Sequence, residues 1–205
     1  EPQAGEALRA LAEAQGGNAT VFVATNPDGT RADAKFVAND PVRAALEQRL
    51  QALRRSGAPN YFGEQRFGRN GSTLEQAQRW MRNGRRISRD KRSLYFSALR
   101  AYVFNRMLAQ RVERGDWNEV VPGDMCMLQG TRSHFRCEEV TDDIRGRAAS
   151  GDLHPGLPLW GRGLKGADPR WSDVQPDCPS DCRDIGDFLE ASGLELAWRS
   201  ARLMA

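Results

Sequence analysis

The stretch Ala58-Pro59-Asn60-Tyr61-Phe62-Gly63-Glu64-Gln65-Arg66-Phe67-Gly68, running on to Arg69-Asn70-Gly71, constrains this chain more than any other. It is too rich in glycine for a regular helix. Pro59 biases Ala58 away from the right-handed helical region, and Gly63, Gly68 and Gly71 permit backbone angles or close approaches that a side chain would forbid. A rigid loop is expected, able to hold Asn60, Phe62 and Arg66 at fixed angles. Loop aromatics more often plug a core than meet a ligand, so that reading stands beside the functional one.

The flanks are helical. Asp40 followed by Pro41 reads as a helix start, with Val42, Leu46, Leu50 and Leu53 on one stripe before Gly57. After the loop, Ser72-Thr73-Leu74-Glu75 has a capping-box pattern and opens a helix that closes at Asn83-Gly84. A long helix is expected from Ser88 or Asp90 to about Arg114, apolar on more than one face and therefore central. The loop is thus pinned between helices, as holding a ligand at fixed geometry requires.

Upstream, residues 1 to 15 have a short helical pattern. Ala19 to Ala24 and Ala34 to Ala38, around Asn26-Pro27-Asp28-Gly29, predict a hairpin. Beyond Trp117 the apolar runs Met125 to Leu128 and His134 to Cys137 predict paired strands, and Thr141 caps a helix ending at Gly151. Asp152 to Asp181 is expected to be a long turn-rich loop, Asp184 to Ser192 a helix, and Leu194 to Met204 helix or strand. These elements make an α/β (α+β) chain: a helical region carrying the loop, then a smaller mixed α/β domain, with a boundary near residue 115.

Net charge is only +3, but its distribution is uneven. Residues 54–111 hold fourteen Lys or Arg against three acids, a local charge of +11, while the remainder carries −8. Such a density repels itself unless an anionic partner neutralises it, and a phosphate backbone does so with release of counterions. Thirteen of the fourteen are arginine, which suits bidentate phosphate recognition and stacking on bases. Within the window Arg69, Arg85, Arg86, Arg89, Lys91 and Arg92 are the candidate nucleic-acid contacts.

No apolar run approaches the roughly 20 residues of a membrane span, and no signal peptide is legible, so the expected location is cytoplasmic with no membrane partner. Of the four cysteines, Cys178 and Cys182 have zinc-like spacing but Cys126 and Cys137 do not, and no histidine completes a site. Reduced, partly buried thiols and no metal are expected. The chain begins without Met inside a helical-looking stretch, as an excised or processed piece would.

The string PNYFGEQRFG (residues 59–68), followed by Gly71 and a helix with Leu74, Ala77 and Gln78, resembles the tRNA pseudouridine synthase D (TruD) family. Further segments agree in order: Lys91-Arg92-Ser93 with Leu99 to Asn105, Pro122-Gly123-Asp124 with Leu128-Gln129-Gly130, and His154 to Gly161. The likeness runs from about residue 41 to the end. It implies that residues 1–114 belong to the synthase catalytic region and 115–205 to the family's inserted α/β domain. It implies tRNA as partner, isomerisation of a uridine as the reaction, and no cofactor. It also implies Asn60 and Phe62, with Tyr61 and Arg66, as substrate contacts.

That reaction breaks the bond between base and ribose, turns the base and rejoins it through carbon. The protein must unstack the uridine, hold it against an aromatic face and place a carboxylate near the sugar. In the family the acid stands in a Gly-x-Lys-Asp motif upstream of the loop. Neither Arg31-Ala32-Asp33-Ala34 nor Ala38-Asn39-Asp40-Pro41 matches it. No catalytic residue is assigned, and the chain by itself is expected to bind RNA without converting it. The alternative is an RNA-binding module that has dispensed with catalysis. A hydrolase built on His134 or His154 with Asp152 is disfavoured, because nothing resembles a nucleophile elbow.

Overall fold

The computed structural model describes residues 19–22, 35–38, 40–164 and 180–204. The chain divides into two compact units, Glu1–Arg55 and Ser56–Ala205. In the first, β1 (Ala19–Phe22) and β2 (Lys35–Ala38) pair antiparallel, with Ala19 opposite Ala38. The expected turn at residues 26–29, the helical stretch 1–15 and Asp33 lie outside the described residues. Helix α1 (Asp40–Ser56) follows. Leu50 and Leu53 of its apolar stripe are 54% and 44% exposed, so amphipathic spacing there does not report a buried face.

The second unit is mixed α/β, helices with antiparallel sheet. Helix α2 (Ser72–Asn83) starts from Gly71 in the left-handed region, with Ser72 already helical at φ −59°. The capping box expected at Ser72 is therefore not formed: a helical serine cannot aim its hydroxyl back at the first turn as a cap does. Helix α3 (Arg89–Arg114) is capped by the Ser88 hydroxyl, which accepts from Lys91 N, and ends at Gly115 with φ 80°. Ten of its residues are buried, including Phe96, Leu99, Val103, Phe104 and Leu108. It is the central helix, packed on α2, on α5 (Ser180–Ala191) and on strand β6 (Leu153–Leu159).

The sheet runs β5-β4-β6-β7, all antiparallel, from β4 (Met125–Leu128), β5 (His134–Arg136), β6 and β7 (Ala197–Ser200). The expected loop from residue 152 is thus corrected at its start, because Leu153–Leu159 is a central strand despite Pro155 and Pro158. An antiparallel residue presents N–H and C=O to the same neighbour, so a proline leaves only one ladder bond unmade. Residues 194–204, open between helix and strand, form β7 and the short β8 (Arg202–Leu203). Helix α4 (Asp142–Ser150) is capped by Thr141 Oγ1, which accepts from Ile144 N at 3.3 Å.

The main core joins α2 and α3 to Leu157, Trp160, Ile185, Leu189 and Ala201. A smaller one under β4 holds Cys126, Cys137, Leu153, Val120 and Ala148. Cys126, Cys137 and Cys182 are buried, and burial pushes the Cys126 thiol up to about 12. Among the described residues no helix is long and apolar enough to cross a membrane.

Candidate functional site

The loop of residues 58–71 is fixed from both ends. Strand β3 (Ala58–Pro59) pairs with β8, Ala58 opposite Leu203. Downstream, Glu64–Phe67 and Arg69–Gly71 are short 3-10 turns hinged at Gly68, whose φ of 79° and contact with Thr73 exclude a side chain. Gly63, by contrast, has φ −71° and open space around it, so its glycine is not required by the backbone.

The middle of the loop is held by a bond that a proline makes available. Pro155 O accepts from Ala201 N at 2.8 Å, but Pro155 has no N–H to return. The Ala201 carbonyl accepts instead from Asn60 N at 2.9 Å. The Asn60 side chain completes the attachment: Nδ2 donates to Ser200 O at 2.9 Å and Oδ1 accepts from Arg199 Nη2 at 2.7 Å.

Phe62 is clamped next. Its N–H donates to Asn105 Oδ1 and its carbonyl accepts from Asn105 Nδ2, both at 2.9 Å. One amide of α3 thus fixes both backbone groups of one loop residue. The half-buried ring stands edge-on to Phe104, centroids 5.4 Å apart, and the Arg199 guanidinium lies over it at 4.1 Å. Arg66 reaches the same ring at 5.4 Å while its Nη1 donates to Ser97 Oγ at 2.8 Å.

Phe62, Arg66, Ser97, Arg100, Leu159 and Arg199 line a cavity of about 390 Å³. Among the described residues lining it there is no carboxylate. Arg100 Nη2 donates to Leu159 O and Glu195 O, at 2.6 and 2.8 Å, joining α3 to the end of β6. Burial draws the Arg100 and Arg199 guanidinium groups below their ordinary pKa, and Arg66 adds to the effect on Arg199. Two cations over one aromatic ring, with Arg100 lining the same cavity, form a site suited to an anionic, planar ligand.

Phe62 and Arg66 are therefore brought together. Asn60 stands behind them, acting through Arg199 and β7. Tyr61 does not line the cavity; it is 40% exposed, and its phenol is raised by burial and then by Glu113. Arg69, Arg85, Arg86, Arg89, Lys91 and Arg92 are all exposed, and Arg85, Arg86 and Arg92 line a second cavity. Sequence reasoning missed Asn105, Arg100 and Arg199 as parts of the site. Asn105 and Arg100 stand in a segment that carried the family likeness, whereas Arg199 is 139 positions from Asn60 and has no local signal.

The family profile of tRNA pseudouridine synthase D (TruD) matches residues 71–175, half of the chain. The chain is 43% identical over 159 residues to tRNA pseudouridine synthase D of Methylococcus capsulatus (strain ATCC 33009 / NCIMB 11132 / Bath), covering 77% of this chain and 45% of that protein. The namesake of Aeromonas hydrophila subsp. hydrophila is 41% identical over 150 residues, 73% of this chain and 43% of that one. That of Nitrosococcus oceani is 37% identical over 163 residues, 79% of this chain and 46% of the relative. The chain thus spans a little under half the length of these curated relatives. On the profile match, with this likeness across its ordered segments, the chain belongs to the tRNA pseudouridine synthase D (TruD) family.

Proposed function

We propose that this chain supplies the base-holding loop and the RNA-contacting face of a tRNA pseudouridine synthase, which isomerises a uridine in tRNA. The observation that carries the reading is the Phe62 cavity. An aromatic ring fixed at both backbone groups by Asn105, backed by Arg199 and flanked by Arg66 and Arg100, offers a planar base a stacking partner and its phosphates cations. The isomerisation breaks one C–N bond and forms one C–C bond within the same nucleotide, so no oxidant, reductant or group donor enters. The acid required near the ribose is assigned to no residue here.

Phe62→Ala in a complete synthase containing this chain is expected to lower the rate of pseudouridine formation by about 100-fold, the scale of a misplaced substrate, with far less effect on tRNA binding. An unchanged rate would remove Phe62 from the site. The second reading, an RNA-binding module without catalysis, is supported by the +11 charge of residues 54–111. A pseudouridine assay of this chain on unmodified tRNA transcript separates the two readings from a self-sufficient enzyme. Salt-dependent binding without conversion is expected; conversion of any uridine would mean that an acid of this chain is catalytic.

A further inference from the structure

Phe96 of α3 has a cavity on each side. One is the Phe62 cavity; the other, of about 420 Å³, lies between the end of α2, the first turns of α3 and the end of α5. Its apolar wall is Trp80, Phe96 and Phe188, with the Trp80 ring edge-on to both partners at centroid distances of 5.3 Å. Trp80 Nε1 donates to Arg85 O at 2.9 Å, which fixes the indole. Arg85, Arg86 and Arg92 form the rim, and the Arg92 guanidinium sits 5.3 Å from the Phe96 centroid. None of these three arginines makes an ion pair among the described residues, and no acid lines the cavity.

Those features select a ligand class. The volume falls at the small end of the roughly 300–1,000 Å³ of ligand sites, enough for one nucleotide and too little for a duplex. Aromatic walls take a base by its face, whatever its identity, and a rim of unpaired guanidinium groups takes phosphate. Geometry ties the two cavities together. Arg92 and Phe96 lie four residues apart on one stripe of α3, and Ser93 and Ser97, which line the Phe62 cavity, occupy the stripe beside it.

We infer that this second cavity takes another unstacked nucleotide of the same RNA, its base against Trp80 and Phe188 and its phosphate on Arg85, Arg86 and Arg92. The inference rests on the reading of the Phe62 cavity as RNA-facing. One strand then occupies both sides of Phe96, and the second nucleotide sets which base is presented to the first.

The test measures binding of the 205-residue chain to unmodified tRNA transcript over a series of salt concentrations, with thermal melting to verify the fold. Arg85→Ala/Arg86→Ala is expected to weaken binding and to lower the slope of log affinity against log salt by about two. Phe188→Leu is expected to weaken it about tenfold at unchanged slope, because stacking releases no counterions. Ala191→Leu, an exposed position lining the cavity, narrows it without touching the core and is expected to act in the same direction, which keeps the test open if Phe188→Leu melts early. Parent-like affinity in Ala191→Leu and in a folded Phe188→Leu overturns the second nucleotide site and leaves the Phe62 reading standing. A parent chain that binds no tRNA overturns both.

Discussion

Arg199 performs three jobs with one planar group: it covers the Phe62 ring at 4.1 Å, approaches Phe104 at 5.6 Å, and donates to Asn60 Oδ1 at 2.7 Å. A lysine ammonium can donate but cannot stack as a plane while doing so. Arg199→Lys in a complete synthase is therefore expected to lower kcat about tenfold with KM for tRNA nearly unchanged. Steady-state kinetics on tRNA transcript decide it; a parent-like kcat would reduce Arg199 to packing. His154 makes a second argument at this scale. It is buried, its Nε2 lies 2.6 Å from Gln129 Oε1, and its Nδ1 has no partner. Burial, and then the Arg202 charge, lower its pKa below the ordinary 6.5, with Asp152 opposing. The neutral ring belongs to the fold and the protonated ring to the unfolded chain. Stability is thus fully present above about 6.5 and is lost as pH falls from there towards the folded-state pKa. Melting temperatures between pH 7.5 and 5 should fall less steeply in His154→Gln than in the parent.

Among the elements, α3 carries most of the load-sharing between core and site. Its buried face builds the core, Asn105 fixes Phe62, Arg100 reaches β6, and Arg111 anchors its end. Arg111 is 4% exposed and meets Asp124, 7% exposed, at 2.9 and 3.0 Å, while its Nη2 donates to Asp116 O and Glu119 O. Desolvation raises the Asp124 carboxyl and Arg111 opposes it, so the carboxylate depends on its partner to stay charged. Arg111→Met leaves that charge buried alone and is expected to cost about 3–5 kcal/mol in urea unfolding, with much of the loss recovered in Arg111→Met/Asp124→Leu. Equal losses in the single and double variants would show that the arginine acts through its carbonyl contacts instead. Strand β6 makes the complementary point: its prolines look like loop residues, yet the ladder bond Pro155 cannot make is the one that lets Ala201 O bind the loop.

In the whole second unit, the last strands hold the loop. Removing residues 201–205 would take Ala201 O from Asn60 N, β8 from β3, and the Arg202 Nη1 bond from Ala148 O, 2.8 Å. A chain ending at Ser200 is expected to be cut by trypsin first at Arg66 and Arg69, at least about tenfold faster than the parent, because local opening controls such cleavage. Early cleavage spread evenly along the chain would mean that these strands stabilise the whole unit rather than the loop.

How much of this was legible in the sequence follows from the range of each interaction. Helices α2, α3 and α4, the β4–β5 pair and the glycine-hinged course of the 58–71 loop were readable, because glycine, proline, hydroxyl caps and apolar spacing act over a few residues. The family was readable from ordered strings of mixed chemistry. The capping box at Ser72 did not form, and Leu50 and Leu53 of the α1 stripe are exposed, since local patterns state what an element can do and not which neighbours it receives. Only the tertiary structure could place Arg199 over Phe62, join Asn105 to that loop, and turn a proline-rich segment into a central strand. The Asn105 bond to Phe62 and the Arg199 bond to Asn60 pair residues 43 and 139 positions apart, and nothing within a few residues of either partner encodes the other. The order of residues sets which groups the molecule has to bind with; packing across the unit sets which of them meet.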